Sequence, residues 1–231
     1  MRCERPAIRR PFLSLGRIAR NARCALLAAG LAWAGPAVAA VSDGFPPIFG
    51  TRESQSATLS LFPKWQGAVT RTIDESRLAD EPCESGIFNR CHLREWMAFI
   101  RENRGRDRRA QIDAVNSYMN DKRYIIDPVN WGIPDYWASP LQFMMRNGDC
   151  EDYAIAKYFS LRALGFHPSS LRVVVLQDMN LRVAHAILVV NFGGQALVLD
   201  NQVRSVVEAS AIHHYRPIYS INEQYWWLHR M

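Results

Sequence analysis

Apolar residues recur every three or four positions in three segments of the chain. This spacing predicts amphipathic helices at about 91–103, in a segment ending before Lys122, and at about 150–164. The residues that carry the spacing are Leu93, Trp96, Met97 and Ile100; Ile112, Val115 and Met119; and Ala154, Ile155, Tyr158, Phe159 and Leu161. Gly165 and Pro168 end the third helix.

Beyond the third helix the pattern changes to short runs rich in valine, leucine and isoleucine. These runs predict antiparallel strands at 171–177, 183–190 and 196–201, with Gly193 and Gly194 in the connection between the last two. Helices first and strands second indicate an α+β domain.

Two segments show neither the helical spacing nor the apolar runs of strands. Residues 41–62 contain Gly44, Pro46, Pro47 and Gly50 and predict an irregular N-terminal arm. Residues 127–140 combine prolines and a glycine with tryptophan and tyrosine, and they predict a rigid aromatic loop rather than a regular element.

The first 39 residues have the features of an export signal. Seven arginines and an apolar run precede Ala37-Val38-Ala39, a small-residue cleavage pattern, and the run is too short for a transmembrane helix. We therefore expect residues 1–39 to be a signal peptide that is removed from a periplasmic protein. The remainder predicts one domain, made of an N-terminal arm and disulfide loop (40–90) and a core (91–231).

The leader also accounts for the basic character of the chain. The whole chain has 28 basic and 22 acidic residues, and the leader takes away seven arginines and one glutamate. The mature protein then has 21 of each, so its charge gives no reason to expect a nucleic-acid partner.

Three cysteines remain after the leader. Cys83 and Cys91 have seven residues between them, which suits a disulfide in an oxidising compartment. Cys150 is then unpaired. It is either an inert buried cysteine or a reactive one, and its neighbours favour the second interpretation.

Cys150 lies where a loop is predicted to become a helix. The free N–H groups and the partial positive charge of a first helical turn favour a thiolate and can stabilise an oxyanion. Asp149, Glu151 and Asp152 oppose this by repulsion of like charge. From their chemistry alone these acids are equally well explained as helix caps or as ligands of Ca²⁺.

His185 and Asp200 lie on consecutive predicted strands. A four-residue turn at Asn191–Gly194 would place them directly opposite each other on one face of the sheet. An aspartate in that place can hold the imidazole while its other nitrogen meets the thiol. A three-residue turn would put Asn201 there instead.

These motifs together resemble the bacterial transglutaminase-like cysteine proteinases, whose best-known members are the LapG-type periplasmic proteases. The resemblance covers roughly residues 90–205, and Gly-Asp-Cys-Glu-Asp-Tyr at 148–153 is its most specific part. The other matching residues are Asn116, Asn120, Tyr124, Asp127, Trp131, Gly132, Asp135, Tyr136, Trp137, Pro140, Lys157, His185 and Asp200.

The resemblance implies a papain-like transglutaminase core in which the nucleophile helix packs on the antiparallel sheet. It implies a catalytic triad of Cys150, His185 and Asp200. It also implies a requirement for Ca²⁺, with the neighbouring acids as metal-linked residues, namely Asp149, Glu151 and Asp152.

The resemblance further implies a biological role. Such enzymes release a large surface adhesin by cutting after a di-alanine, and so regulate biofilm attachment. They are inhibited by an inner-membrane cyclic-di-GMP receptor. Two other functions fit the same residues: a transglutaminase-like acyltransferase or amidase acting on the cell envelope, and a non-catalytic Ca²⁺-binding module.

Overall fold

An antiparallel sheet of seven strands forms the centre of the fold, which we describe from a computed structural model for residues 44–76 and 91–231. The strands are β1 (Arg52–Ser56), β2 (Leu171–Asp178), β3 (Val183–Phe192), β4 (Gln195–Leu199), β5 (Val207–Glu208), β6 (Tyr215–Ile221) and β7 (Trp226–Arg230). Their order across the sheet is β1-β7-β6-β2-β3-β4-β5, and every neighbouring pair is antiparallel.

The α-helices of the described residues precede the main run of strands. They are α1 (Pro63–Ser76), α2 (Cys91–Asn103), α3 (Arg108–Asn120), α4 (Asp127–Asn130), α5 (Pro140–Arg146) and α6 (Cys150–Ala163). The three helices predicted from the sequence correspond to α2, α3 and α6. Within these described ranges, no helix has the length and apolar character needed to cross a membrane. The α+β class and the packing of the nucleophile helix on the sheet are confirmed.

Helix α6 is deeply buried. Its residues from Asp152 to Leu161 are all buried, because α3 and α5 pack against it on one side and β2 and β3 on the other. The second face of the sheet covers a smaller core. The central strands are therefore buried on both faces: Val173 contributes to the helix-side core and Val174 to the other. This double burial explains why these strands read as continuous apolar runs rather than as alternating ones.

The prediction of an irregular arm at 41–62 is wrong in part. This segment contains β1, which pairs with the C-terminal strand β7 from Arg52↔Arg230 to Ser56↔Trp226 and so becomes the edge of the sheet. The strand has the sequence Arg-Glu-Ser-Gln-Ser, so no apolar alternation reveals it. An ion pair between Glu53 and the buried Arg172 ties it to the sheet.

The predicted aromatic loop at 127–140 is also more ordered than expected. It begins with the single-turn helix α4, and helix α5 starts at Pro140. Ser139 caps α5, since its hydroxyl accepts a hydrogen bond from the backbone N–H of Gln142 while the Gln142 side chain accepts one from the Ser139 backbone.

The turn between β3 and β4 has two residues, not the predicted four. Gly193 and Gly194 occupy it with φ of 60° and 80°, and Phe192 pairs with Gln195. The register therefore differs by two positions from the prediction. A shift of two keeps each side chain on its face of the sheet, so His185 and Asp200 still share a face although they are not directly opposed.

The structure separates the cysteines as expected. Cys91, the first residue of α2, is disulfide-bonded, and Cys150 is free. Cys83, the predicted partner of Cys91, lies outside the described residues.

We expect the exported protein to contain a Cys83–Cys91 disulfide and a free Cys150. Mass spectrometry of a non-reduced proteolytic digest should find the first two residues in one linked peptide pair. Recovery of Cys150 in a disulfide would contradict its assignment as the available thiol.

Candidate active site

The segment that leads into α6 places Cys150 at the first position of the helix. Asn147 ends α5 with φ of 62° and makes the sharp turn. Gly148 is required because a Cβ there would lie 2.1 Å from Asp152 Oδ2 and 2.7 Å from Asp152 Cβ. The loop can therefore approach the helix only where residue 148 has no side chain.

The Asp152 carboxylate fixes this approach. It is fully buried, and its two oxygens accept hydrogen bonds from the backbone N–H groups of Ala138 (2.7 Å) and Asp149 (3.3 Å). Burial raises the pKa of Asp152 well above its ordinary value, and the hydrogen bond from Ala138 opposes that shift. Asp152, which lies on α6, thus links the aromatic loop to the residue that precedes the helix.

Two groups near the thiol of Cys150 have opposite effects on its pKa. The backbone N–H of Ala186 on β3 lies close enough to the sulfur to lower the pKa of the thiol, which places Cys150 beside the residue that follows His185. The Sγ also donates to Glu151 Oε2 at 3.1 Å. Burial raises the pKa of Cys150, and Glu151 and Asp149 raise it further. Burial is therefore the main cause of the shift, and the carboxylate repulsion foreseen from the sequence adds to it.

His185 and Asp200 form a buried pair. His185 Nε2 lies 2.9 Å from Asp200 Oδ1, and both residues are at most 3 % exposed. Asp200 also accepts hydrogen bonds from the backbone N–H of Gln202 (2.9 Å) and the hydroxyl of Tyr215 (2.6 Å). Burial alone would raise the pKa of Asp200, but the interactions with His185 and Tyr215 outweigh it and the pKa is lowered. Asp200 is thus an ionised acceptor that fixes the imidazole.

This pairing leaves His185 Nδ1 available. Its neighbour is the Gln202 side chain, with Nε2 at 3.5 Å, a distance too long for a strong hydrogen bond. With the proton on Nε2 directed to Asp200, Nδ1 carries a lone pair that can accept a proton. The chemical requirement for a general base is therefore met on the strand that also contacts the thiol.

Acidic side chains gather on the other side of Cys150. Asp127, Asp135 and Glu151 offer oxygens within 4.8 Å of one another, and so do Asp127, Asp149 and Asp152. Burial, then Glu151 and Asp127, raises the pKa of Asp149 to about 8, and burial raises the pKa of Asp127 and Glu151. The proximity of these carboxylates is unfavourable unless protons or a cation offset their charge.

Two buried oxygens in this cluster have no hydrogen-bond partner among the described residues. Asp127 Oδ2 accepts from the Tyr136 N–H and Asp149 Oδ2 from the Asp127 N–H, whereas Oδ1 of each is unpaired. Carboxylate oxygens are the ligands that Ca²⁺ prefers. The donor set therefore fits a hard divalent cation, and the three sequence-predicted acids all belong to it.

Sequence reasoning missed Asp127 and Asp135 as members of this cluster, and Tyr215 as a partner of Asp200. The two acids lie in the aromatic loop, far enough from Cys150 in sequence that no local spacing marks them. Their signal was the recurrence of aspartate among rigid proline and aromatic positions. Tyr215 is a buried aromatic on a strand, and nothing in its sequence context distinguishes it from a core residue.

A thiol at the start of a buried helix, beside a histidine–aspartate pair on an antiparallel sheet, is typical of papain-like cysteine proteases. A sequence profile of the bacterial transglutaminase-like cysteine proteinases matches residues 83–229. The chain belongs to this family, and it is a transglutaminase-like cysteine protease.

Solved structures agree with this assignment. The chain is similar to calcium-bound LapG of Legionella pneumophila, with 32 % identity over 68 % of this chain and 87 % of that chain and a TM-score of 0.58. The EGTA-treated form of the same protein gives 31 % identity, coverage of 69 % and 86 %, and a TM-score of 0.59. No match was found among curated proteins.

The contact between residue 148 and Asp152 leads to a stability prediction. Gly148→Ala should lower the free energy of unfolding by about 2 kcal/mol or more, because the added methyl overlaps the buried side chain of Asp152. Gly105→Ala is the matched control: a Cβ there meets nothing within 4 Å, so its effect should stay within about 0.5 kcal/mol. Urea unfolding measures both. Equal stability of the two variants would contradict the close approach at residue 148.

Proposed function

We propose that this protein is a periplasmic, Ca²⁺-dependent cysteine endopeptidase that uses Cys150 as nucleophile, His185 as general base and Asp200 as the residue that orients His185. The observation that carries the proposal is the buried hydrogen bond between His185 Nε2 and Asp200 Oδ1. The residue after His185, Ala186, has its backbone N–H close enough to the Cys150 sulfur to lower the pKa of the thiol. The hydrogen bond to Asp200 leaves the imidazole with its free nitrogen available for the thiol proton.

The reaction follows from these positions. His185 Nδ1 takes the proton of the Cys150 thiol, and the thiolate attacks the carbonyl carbon of the scissile peptide bond. Backbone N–H groups at the start of α6 would bind the oxyanion that forms. His185 returns the proton to the leaving amine, which leaves an acyl-enzyme on Cys150. A water molecule that gives a proton to His185 then hydrolyses this thioester and restores the thiol.

Asp200 has a supporting part in this sequence. Its carboxylate stabilises the imidazolium that exists between the two proton transfers, and the hydroxyl of Tyr215 and the N–H of Gln202 hold the carboxylate in place. The lowered pKa of Asp200 keeps it ionised while His185 is protonated.

Ca²⁺ fits the acidic cluster described above. Asp127 belongs to both groups of acids, with Asp135 and Glu151 in one and Asp149 and Asp152 in the other, and Asp152 also supports the loop through its backbone hydrogen bonds. When bound, the ion would offset the negative charge beside Cys150 and engage the Glu151 carboxylate that otherwise accepts the thiol hydrogen. The calcium-bound relative supports this assignment.

The substrate and partners are proposed from the family. We infer that the substrate is a large surface adhesin, cut after a di-alanine so that it leaves the cell surface and attachment is reduced. We also infer an inner-membrane cyclic-di-GMP receptor as inhibitor, and export through the leader at 1–39. An exposed apolar surface beside the nucleophile loop supports a protein partner; it consists of Tyr124, Ile126, Val129 and Ile133.

Cys150→Ser should abolish cleavage, because a serine hydroxyl is not ionised by this base. The test incubates wild type and variant with the organism's large surface proteins in Ca²⁺ and maps any new N-terminus by mass spectrometry. We expect a single cut after Ala-Ala, and a loss of at least about a thousandfold in rate for the variant. Incorporation of an added amine instead of water would indicate an acyltransferase, and wild-type turnover by the variant would remove Cys150 from the mechanism.

The acidic cluster leads to a second prediction. Asp127→Asn and Asp149→Ala should each weaken Ca²⁺ binding in calorimetry and reduce cleavage in parallel, whereas EGTA should stop cleavage by wild type until Ca²⁺ is restored. Asp121→Asn is the control, because Asp121 is an exposed acid at the end of α3 that does not belong to the cluster. If the first two variants bind Ca²⁺ as wild type does, the acids serve only as helix caps.

A further inference from the structure

Two asparagines one turn apart on α3 reach across to the segment that carries Asp200. Asn120 Nδ2 donates to the backbone carbonyls of Asp200 (2.8 Å) and Val203 (3.4 Å). Asn116 Nδ2 donates to the carbonyl of Arg204 (3.0 Å). Both side chains therefore bind main chain, and one of them binds the main chain of Asp200 itself.

The segment they hold belongs to neither neighbouring strand. Strand β4 ends at Leu199 and β5 begins at Val207, so residues 200–206 connect the two at the edge of the sheet. Within this connection the Asp200 side chain accepts from the Gln202 N–H, which tightens the local turn but does not tie it to another element. The side chain of Asp200 is bonded to His185 on β3 and Tyr215 on β6, whereas the amides of α3 tie the backbone of the connection.

The same helix is packed against the nucleophile helix. Apolar residues of α3, including Ile112, Val115 and Met119, share the helix-side core with α6, which begins at Cys150. One face of α3 is thus seated on the helix of the thiol while its asparagines hold the backbone of Asp200. The helix connects the two halves of the site.

The hydrogen bonds of these asparagines indicate that their role is not only to stabilise the fold. Asn116 is buried, and the Oδ1 atoms of Asn116 and Asn120 have no hydrogen-bond partner among the described residues. A buried amide that uses only its donors contributes poorly to stability. The feature that distinguishes the two asparagines is that their amide groups bind backbone carbonyls of Asp200 and of the residues that follow it.

We propose that Asn116 and Asn120 are positioning residues for peptide hydrolysis, which set the place of Asp200 relative to Cys150 and thereby the orientation of the His185 ring. The inference rests on the proposed peptidase function. Because His185 Nε2 is bonded to Asp200, a displaced Asp200 turns the imidazole and moves Nδ1 away from the thiol.

The test uses Asn120→Asp, which keeps the shape of the side chain, removes the donors and sets a carboxylate against two carbonyls. With a quenched fluorescent peptide containing Ala-Ala, we expect kcat to fall by about tenfold or more while KM changes less than about twofold, since misplacement of a reacting group acts on the chemical step. Asn116→Asp should act in the same direction but less. Ser117→Ala is the control, because Ser117 is exposed on the same helix and lines, together with Asn116 and Asn120, a surface cavity of about 860 Å³.

A spectroscopic readout separates positioning from stability. The low-field proton resonance of the His185 ring N–H that is bonded to Asp200 should shift or disappear in Asn120→Asp at a temperature where the variant is folded, and persist in Ser117→Ala. If Asn120→Asp does not fold, Asn120→Ala replaces it in both measurements.

The two possible failures are distinguishable. If wild type cleaves nothing but the resonance still changes in the Asn120 variant, the proposed peptidase function is wrong and the positioning of Asp200 stands. If wild type cleaves and the Asn120 variant retains both kcat and the resonance, the positioning inference is wrong.

Discussion

The rest of the site depends on the packing of the first turn of α6 against β3. This packing brings the sulfur of Cys150 to the backbone N–H of Ala186, and so fixes the thiol next to the residue that follows His185. The packing is possible because α6 is buried from Asp152 to Leu161 and because residue 148 has no side chain to hold the entering loop away. A buried carboxylate, Asp152, then locks that loop with two backbone hydrogen bonds.

Charged side chains lie on both sides of this contact, and their effects on proton transfer from the thiol oppose each other. On the sheet, Asp200 is stabilised as a carboxylate by His185 and Tyr215, which prepares the histidine to receive a proton. On the loop side, burial and then the carboxylates raise the pKa of the thiol, which loses a proton in the proposed mechanism. The same acids form a cluster with unpaired buried oxygens. A cation at that cluster would offset the negative charge beside the thiol and so favour its loss of a proton. Metal dependence is then a consequence of the electrostatics of the site and not an independent feature.

Much of this arrangement could be predicted from the sequence. The helix at Cys150 follows from its apolar spacing, and the shared face of His185 and Asp200 survived an error of two residues in the register because side chains in a strand alternate with a period of two. Strand β1 could not be predicted, since its polar residues pair with a strand at the far end of the chain. Asp127 and Asp135 reach the cluster only through the path of the aromatic loop, which no spacing rule encodes.

The rate at which iodoacetamide alkylates Cys150 tests the central claim most directly. The rate should be low in chelator, where Glu151 accepts the thiol hydrogen, and should rise by about tenfold or more in Ca²⁺ at the same pH, because the thiolate is the reacting form. His185→Ala should remove most of that rise, and mass spectrometry should locate the label on Cys150. Equal rates with Ca²⁺ and with chelator in wild type would contradict the account, because the acidic cluster would then have no influence on the thiol.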